Sequence, residues 1–220
     1  MNVPNSSFAA VPAGRRGRPA AATRDEVLRA ATRQYLRGER VDVRAIAARL
    51  GLGRTTVYRW FGTRERLIGE VLLRAAEPLL DRARTEARGR GGPSLLDTFD
   101  RFNRALADAP ALRRFVEEER GTALRIITAS DGVVQPRMVE RIAALIEDEA
   151  RSGGYDPPVE PSTLAYAIVR LAEAFLFNDT AAGIRGDVDR LRDVEGALLG
   201  VTDRAGARRT ASGRAASARS

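Results

Sequence analysis

A chain of 220 residues with 44% hydrophobic but only 5% aromatic side chains can bury a core of Leu, Ala, Val and Ile, as one large helical domain or a small domain fused to a larger one. It contains no cysteine and no histidine, which excludes disulfides, thiolate chemistry, the commonest general base and the commonest transition-metal ligand. All 37 basic residues are arginine, against 29 acids, for a net charge of +8; a GC-rich coding sequence accounts for the absence of lysine, and arginine still binds phosphate through its bidentate fork.

Residues 1–22 are rich in Ala, Pro, Gly and Ser without apolar periodicity, and are expected to form a disordered basic arm carrying Arg15, Arg16 and Arg18. The run RRGRP (15–19) admits two readings: arginines laid along a narrow minor groove, or a basic tail adding only counterion-release affinity. The arm lacks the basic-then-apolar order of a secretory signal, and no apolar run reaches bilayer length, so the expected location is cytoplasmic, with no membrane partner.

Thr23-Arg24-Asp25-Glu26 spells a capping box that opens the first helix. Val27, Leu28, Ala31, Tyr35 and Leu36 line one face of it, and Gly38 ends it. Asp42 caps a short helix holding Ile46, Ala47 and Leu50; Gly51-Leu52-Gly53 breaks it, and another short helix runs from Arg54 to about Trp60. Gly62-Thr63 starts the next, in which Pro78 predicts a kink or boundary near Glu77. After the loop GRGGP (89–93), amphipathic segments are expected at about 94–108, 110–128, 135–152, 161–182 and 187–200. The tail 201–220 reads as disordered. The expected fold is all-α with about nine helices: a three-helix unit at 23–66 and a larger helical domain at 67–200.

The charge is unevenly spread. Residues 23–66 hold 11 Arg against 5 acids, whereas residues 67–200 hold 18 Arg against 23 acids. A basic first third on an acidic body is the footprint of a nucleic-acid reader joined to something else. The segment VDVRAIAARLGLGRTTVYRWFGTRERL (41–67) supplies the motif: two short helices and a glycine-bearing turn, a helix-turn-helix whose second helix can enter the major groove. Ala45, Ile46, Leu50, Leu52 and Val57 are placed to fix the interhelical angle. Around buried Val57, the open faces present Arg54, Thr55, Thr56, Tyr58 and Arg59, residue types that meet base edges and phosphates. Gly53 leaves the helix N-terminus open toward a phosphate.

The block RAIAARLGLGRTTVYRWFGTRERLIGEVL resembles the DNA-binding domain of the TetR family of bacterial regulators, over about residues 23–75. Tyr58, Phe61, Gly62, Thr63 and Arg64 stand where that family has Tyr-x-x-Phe, Gly, a capping Ser or Thr and a basic residue. The resemblance implies that Arg54, Thr55 and Thr56 face bases while Tyr58 and Arg64 hold phosphate. It also implies a homodimer joined by the C-terminal helices as a four-helix bundle, a ligand cavity among the intervening helices, and repression. Two departures stand out: Gly53 where the family often has Ser, and Trp60 where Tyr is commoner. Segments 111–128 and 164–179 resemble the subgroup named for quorum-sensing-signal-degradation regulators, QsdR.

In the larger domain, Leu164, Ile168, Leu171 and Phe175 on one helix and Val188, Leu191, Val194 and Leu198 on the next form apolar faces expected at a dimer seam. Phe99, Phe102, Phe115, Leu124, Ile127, Met138, Tyr166 and Phe177 are core candidates from which a pocket would be lined. Arg170 and Glu173 read either as an i,i+3 ion pair or as a ligand's polar anchor. Glu117-Glu118-Glu119 reads as a solvated face, with Glu119 and Arg120 bordering the apolar stripe, and Glu147, Asp148 and Glu149 are sequential and cannot converge on a metal. No cofactor or metal site is expected, and no nucleophile elbow or phosphate loop argues for an enzyme. The expected partners are double-stranded operator DNA, a small and largely apolar ligand, and a second copy of the chain. The rival reading is a ligand-blind architectural DNA binder, against which the long C-terminal region argues.

Overall fold

A computed structural model describes residues 22–178 and 187–201. Ten α-helices occupy the described residues: α1 Arg24–Leu36, α2 Val43–Arg49, α3 Arg54–Phe61, α4 Arg64–Glu86, α5 Gly92–Asp108, α6 Pro110–Glu118, α7 Arg120–Thr128, α8 Val134–Arg151, α9 Pro161–Glu173 and α10 Val188–Leu198. A π-helical turn, Ala174–Asn178, extends α9. The all-α expectation holds, with ten helices where about nine are expected. The basic arm and its Arg15, Arg16 and Arg18, the tail from 202 onward and the Gly183–Gly186 punctuation lie outside the described residues.

The N-terminal unit forms as its caps dictate. The Glu26 N–H donates to Thr23 Oγ1 at 3.2 Å and the Thr23 N–H donates to the Glu26 carboxylate at 2.7 Å, closing the capping box. Asp42 accepts from the backbone of Arg44 and Ala45, and Thr63 from that of Arg66. Val27, Ala30 and Ala31 of α1, Ile46 and Ala47 of α2, Val57 and Phe61 of α3 and Leu67 and Ile68 of α4 close one core. Ala45 is exposed rather than part of it.

Two expectations change. Of the kink or boundary expected at Pro78, the boundary is not found: α4 runs on to Glu86. Pro78 is exposed, so the carbonyl it leaves unpaired can be hydrated, while Leu80 and Ala83 stay buried on the opposite face. The 66/67 boundary therefore falls inside the first turn of a long helix that packs on α1, α3, α5, α7 and α8. The segment 110–128 is broken at Glu119 (φ −126°, ψ 40°) into α6 and α7. Gly121 lowers helix propensity just beyond the break, and the Glu119 carboxylate has a partner elsewhere.

Around the larger domain, α5 lies against α4, α8 and α10, and α9 against α8 and α10. Of the sequential acids Glu147, Asp148 and Glu149, the last turns inward. It is buried, taking Arg84 of α4 at 2.5 Å and the Gly91 N–H at 2.7 Å. A side chain at Gly91 (φ +62°) would place Cβ 1.8 Å from the Gly154 carbonyl oxygen, so only glycine fits this junction.

Candidate DNA-reading helix and an adjoining cavity

On α3, Arg54, Thr55, Tyr58 and Arg59 are exposed and Thr56 is half-buried, while Val57 and Phe61 point inward. Gly53 provides no side-chain cap, so the first N–H groups of α3 are not closed by their own N-cap residue. Trp60 is half-buried against the core, which assigns its ring to packing. The far end of α3 is braced by Arg24: its guanidinium lies 4.4 Å from the Phe61 ring centroid, donates to the Trp60 carbonyl at 3.5 Å and pairs with Glu70 of α4 at 2.5 Å. Arg74 of α4 reaches back to Asp25 at 2.7 Å. The exposed face of α3 is thus presented by a unit clamped to α4.

Arg64 differs from its neighbours. Its two terminal nitrogens donate to the two Glu119 oxygens at 2.9 Å each, and its Nε to the Val41 carbonyl at 3.3 Å. The guanidinium is turned inward, toward the α6–α7 break. Glu119 is held below the usual carboxylate range, first by this hydrogen bond and further by Arg40 at 3.5 Å. The sequence placed Glu119 on a solvated face; the fold makes it the counter-ion that joins the N-terminal unit to the larger domain.

Directly behind lies a cavity of about 430 Å³. Tyr35 and Leu36 of α1 and Leu72, Leu73, Ala75, Ala76 and Leu79 of α4 form the wall toward the N-terminal unit; Phe99, Phe102, Ile127, Met138, Ile142 and Phe177 are among the residues that line the remainder. Of the expected pocket residues, Phe99, Phe102, Ile127, Met138, Glu173 and Phe177 line it. Phe115 does not: it meets Tyr35 edge-on at 6.3 Å beside the Arg64–Glu119 pair. Leu124 lies outside the lining, Tyr166 is exposed, and Arg170 faces outward, pairing with Glu173 at 2.7 Å and donating to the Thr128 carbonyl. The i,i+3 ion pair is thus formed, and Glu173 is the member of it that lines the cavity.

The sequence reading missed Asn103, Gln135 and Glu195. All three are buried and line the cavity. Asn103 Nδ2 donates to both Glu195 oxygens, at 3.0 and 3.2 Å. Burial pushes Glu195 up to about 8 and Glu173 up to about 7, in the second case against the pull of Arg170. The available signal was an acid on the apolar side of an amphipathic helix, with Leu191 and Leu198 at i−4 and i+3.

The expected seam residues divide. Leu164, Ile168, Val188 and Leu191 are buried within the chain's own core, so they do not form an open face. Leu171, Phe175 and Leu198 are half-buried and Val194 is exposed. Tyr166, one turn from Arg170 on the outer side of α9, is 51% exposed and joins this outer face. The correction follows from α9 and α10 packing against α8 and α5, which uses their most apolar stripes inside the monomer. Among the described residues no acidic cluster is arranged to hold a metal and no helix is long and apolar enough to cross a membrane.

Residues 90–200 match the family model described as the tetracyclin repressor-like C-terminal domain. Among solved structures, the chain resembles that of the R. erythropolis transcriptional repressor QsdR from the TetR family, with 28% identity and a TM-score of 0.75 over 81% of this chain and 95% of that one. No match is found among curated proteins.

Proposed function

Since the chain belongs to the TetR-like family of transcription regulators, we propose that it is a homodimeric repressor released from a palindromic operator by a small, largely apolar ligand. The observation that carries this reading is a shared wall: the cavity that would hold the ligand is closed on one side by α1 and α4, the two helices that brace α3. Arg54, Thr55 and Thr56 would meet base edges, and Tyr58 and Arg59 the phosphates, with the open N-terminus of α3 as a further phosphate site.

Arg64 has a different assignment from the one its sequence position implies. With each of its three guanidinium nitrogens donating to Glu119 or Val41, it acts as a fastener in this conformation. A phosphate contact would require it to leave Glu119. Ligand in the cavity touches Ala109 to Leu112 at the start of α6, and Glu119 closes the other end of that helix. Displacement of α6 would reach the first residue of α4, immediately after the reading helix. The ligand shifts the equilibrium only through its differential affinity for the two head positions; a coupling of about 1–3 kcal/mol weakens DNA binding roughly 5–150-fold.

The proposed domain division follows the same lines: an N-terminal DNA-binding unit through α3, and a ligand-binding and dimerisation domain from α4 onward. A purely architectural DNA binder would have no use for a cavity of this size. The experiment is a titration of candidate apolar ligands, including lactones and acyl chains, against protein bound to fluorescent operator DNA. Release together with a rise in the thermal stability of the free protein is expected; stable DNA complexes across a broad library would favour constitutive binding.

A further inference from the structure

The cavity's charged groups are all of one sign. Among the described residues its lining contains Asp108, Glu173 and Glu195 but no arginine, in a chain with 37 of them. A ligand carboxylate or phosphate would find no counter-charge in this wall, and would face three acids. Asp108 and Leu36 are exposed, so they mark the open side next to the α5–α6 turn, whereas Glu195 is fully buried and Glu173 nearly so.

Glu195 is the more telling of the two inner acids. Arg170 neutralises Glu173 from outside. Glu195 receives only the neutral amide of Asn103; Asp100 on α5 repels its charge, and Arg192 on α10, whose guanidinium also pairs with Asp100 at 3.6 Å, offsets this from a distance. A carboxylate placed in an apolar wall with one amide donor and no ion pair of its own is costly to the empty fold. The geometry of Asn103, donating to both oxygens, suits an ionised form, with which none of the described arginines forms an ion pair. The surrounding Phe99, Phe102, Leu106, Met138 and Phe177 provide apolar surface and aromatic faces that tolerate a cation. The π-helical turn that carries Phe177 begins directly after Glu173, a distortion often found at functional sites.

We propose that the cavity selects an amphipathic monocation, an apolar body bearing one protonated amine, with Glu195 as its counter-ion, Glu173 as a second carboxylate and Asp108 at the entrance. This rests on the cavity being the effector site, and narrows that site's ligand from apolar molecules in general to cationic ones.

The test compares decylamine, decanol and decanoate, which share a chain length and differ in head-group charge, by calorimetry on the full chain at neutral pH. Decylamine should bind about tenfold or more tightly than decanol, the scale of one desolvated charge-assisted hydrogen bond, and decanoate most weakly. The variant E195Q, close in shape, should lose most of the preference for decylamine over decanol. E195D, which keeps the charge but draws it back, should retain part of that preference and serves if E195Q does not fold. Decanol binding as tightly as decylamine, or an amine preference untouched in both variants, would overturn the proposal while leaving the cavity as an effector site. If none of the three probes nor a neutral ligand library binds, the effector site itself falls, and this proposal with it.

Discussion

Arg64, the first residue of α4, and Glu119, the residue at which α6 gives way to α7, meet in a two-pronged ion pair with both N–O distances at 2.9 Å. The pair is only about one-fifth exposed on either side. It ties the turn after α3 to the rim of the domain that contains the cavity. Its free energy is conditional on ionisation. The folded Glu119 titrates below its ordinary value of 4.5, so the stabilisation is present above that value and lost as pH falls through the folded one.

Breaking the pair should therefore separate reading from sensing. E119Q keeps the shape and removes the charge, at a cost of about 1–3 kcal/mol for a partly buried, hydrogen-bonded charge pair. The melting temperature should fall by several degrees at neutral pH, with a smaller difference near pH 4. Operator affinity of the unliganded protein should change less than the fold-release produced by ligand. Wild-type ligand response in E119Q would show that coupling runs through α1 and α4 alone.

On α3, R54A and R59A should leave the helical circular-dichroism signal unchanged, because both side chains are exposed. If Arg59 binds phosphate, its loss weakens all sequences alike and lowers the salt slope by about one unit. If Arg54 or Thr56 reads a base, its loss relaxes preference at one base pair by roughly 1–3 kcal/mol. Undiminished binding by the combined R54A, T56A, Y58A and R59A variant would remove α3 as the reading helix.

The buried acids set an opposite pH trend. Folded Glu195 keeps its proton up to about 8 and Glu173 up to about 7, whereas both release it near 4.5 when unfolded. The folded state therefore binds more protons across that interval, and stability falls as pH rises, by up to about 1.4 kcal/mol per pH unit for each group. Thermal melts from pH 5 to 8 should show this decline, and E195Q should flatten it. An equal slope in E195Q would mean that the carboxyl ionises in the folded state as it does in water.

For the proposed dimer, Tyr166 and Val194 are the exposed large apolar residues on α9 and α10. Replacing both with Glu should leave the monomer fold intact, since neither contributes to its buried core, and should shift sedimentation from dimer to monomer at micromolar concentration. Operator affinity should fall with it. A variant that still sediments as a dimer would place the seam on another face.

The capping box at Thr23, the turn at Gly51–Gly53 and the Tyr58–Phe61 spacing are local signals, and the three-helix unit they specify was legible from them. The cavity was legible only in part. Aromatic residues such as Phe99 and Phe102 stand out by size, but periodicity does not distinguish a core wall from a cavity wall, and by that signal Phe115 and Tyr166 group with them. Glu195, Asn103 and Glu119 gain their meaning from partners 92 and 55 positions away in sequence. The seam suffered from the same limit: hydrophobic spacing marks a face as buried without saying whether the chain itself or a second copy covers it.

The most direct test of the account is selection of binding sites by the full-length protein from random-sequence DNA, followed by footprinting of the enriched site. The account predicts one palindrome whose half-sites lie about one helical turn apart or a little more, roughly 34–36 Å, protected by wild type and lost in the combined α3 variant. No enriched sequence, with diffuse protection that disappears uniformly as salt is raised, would contradict it.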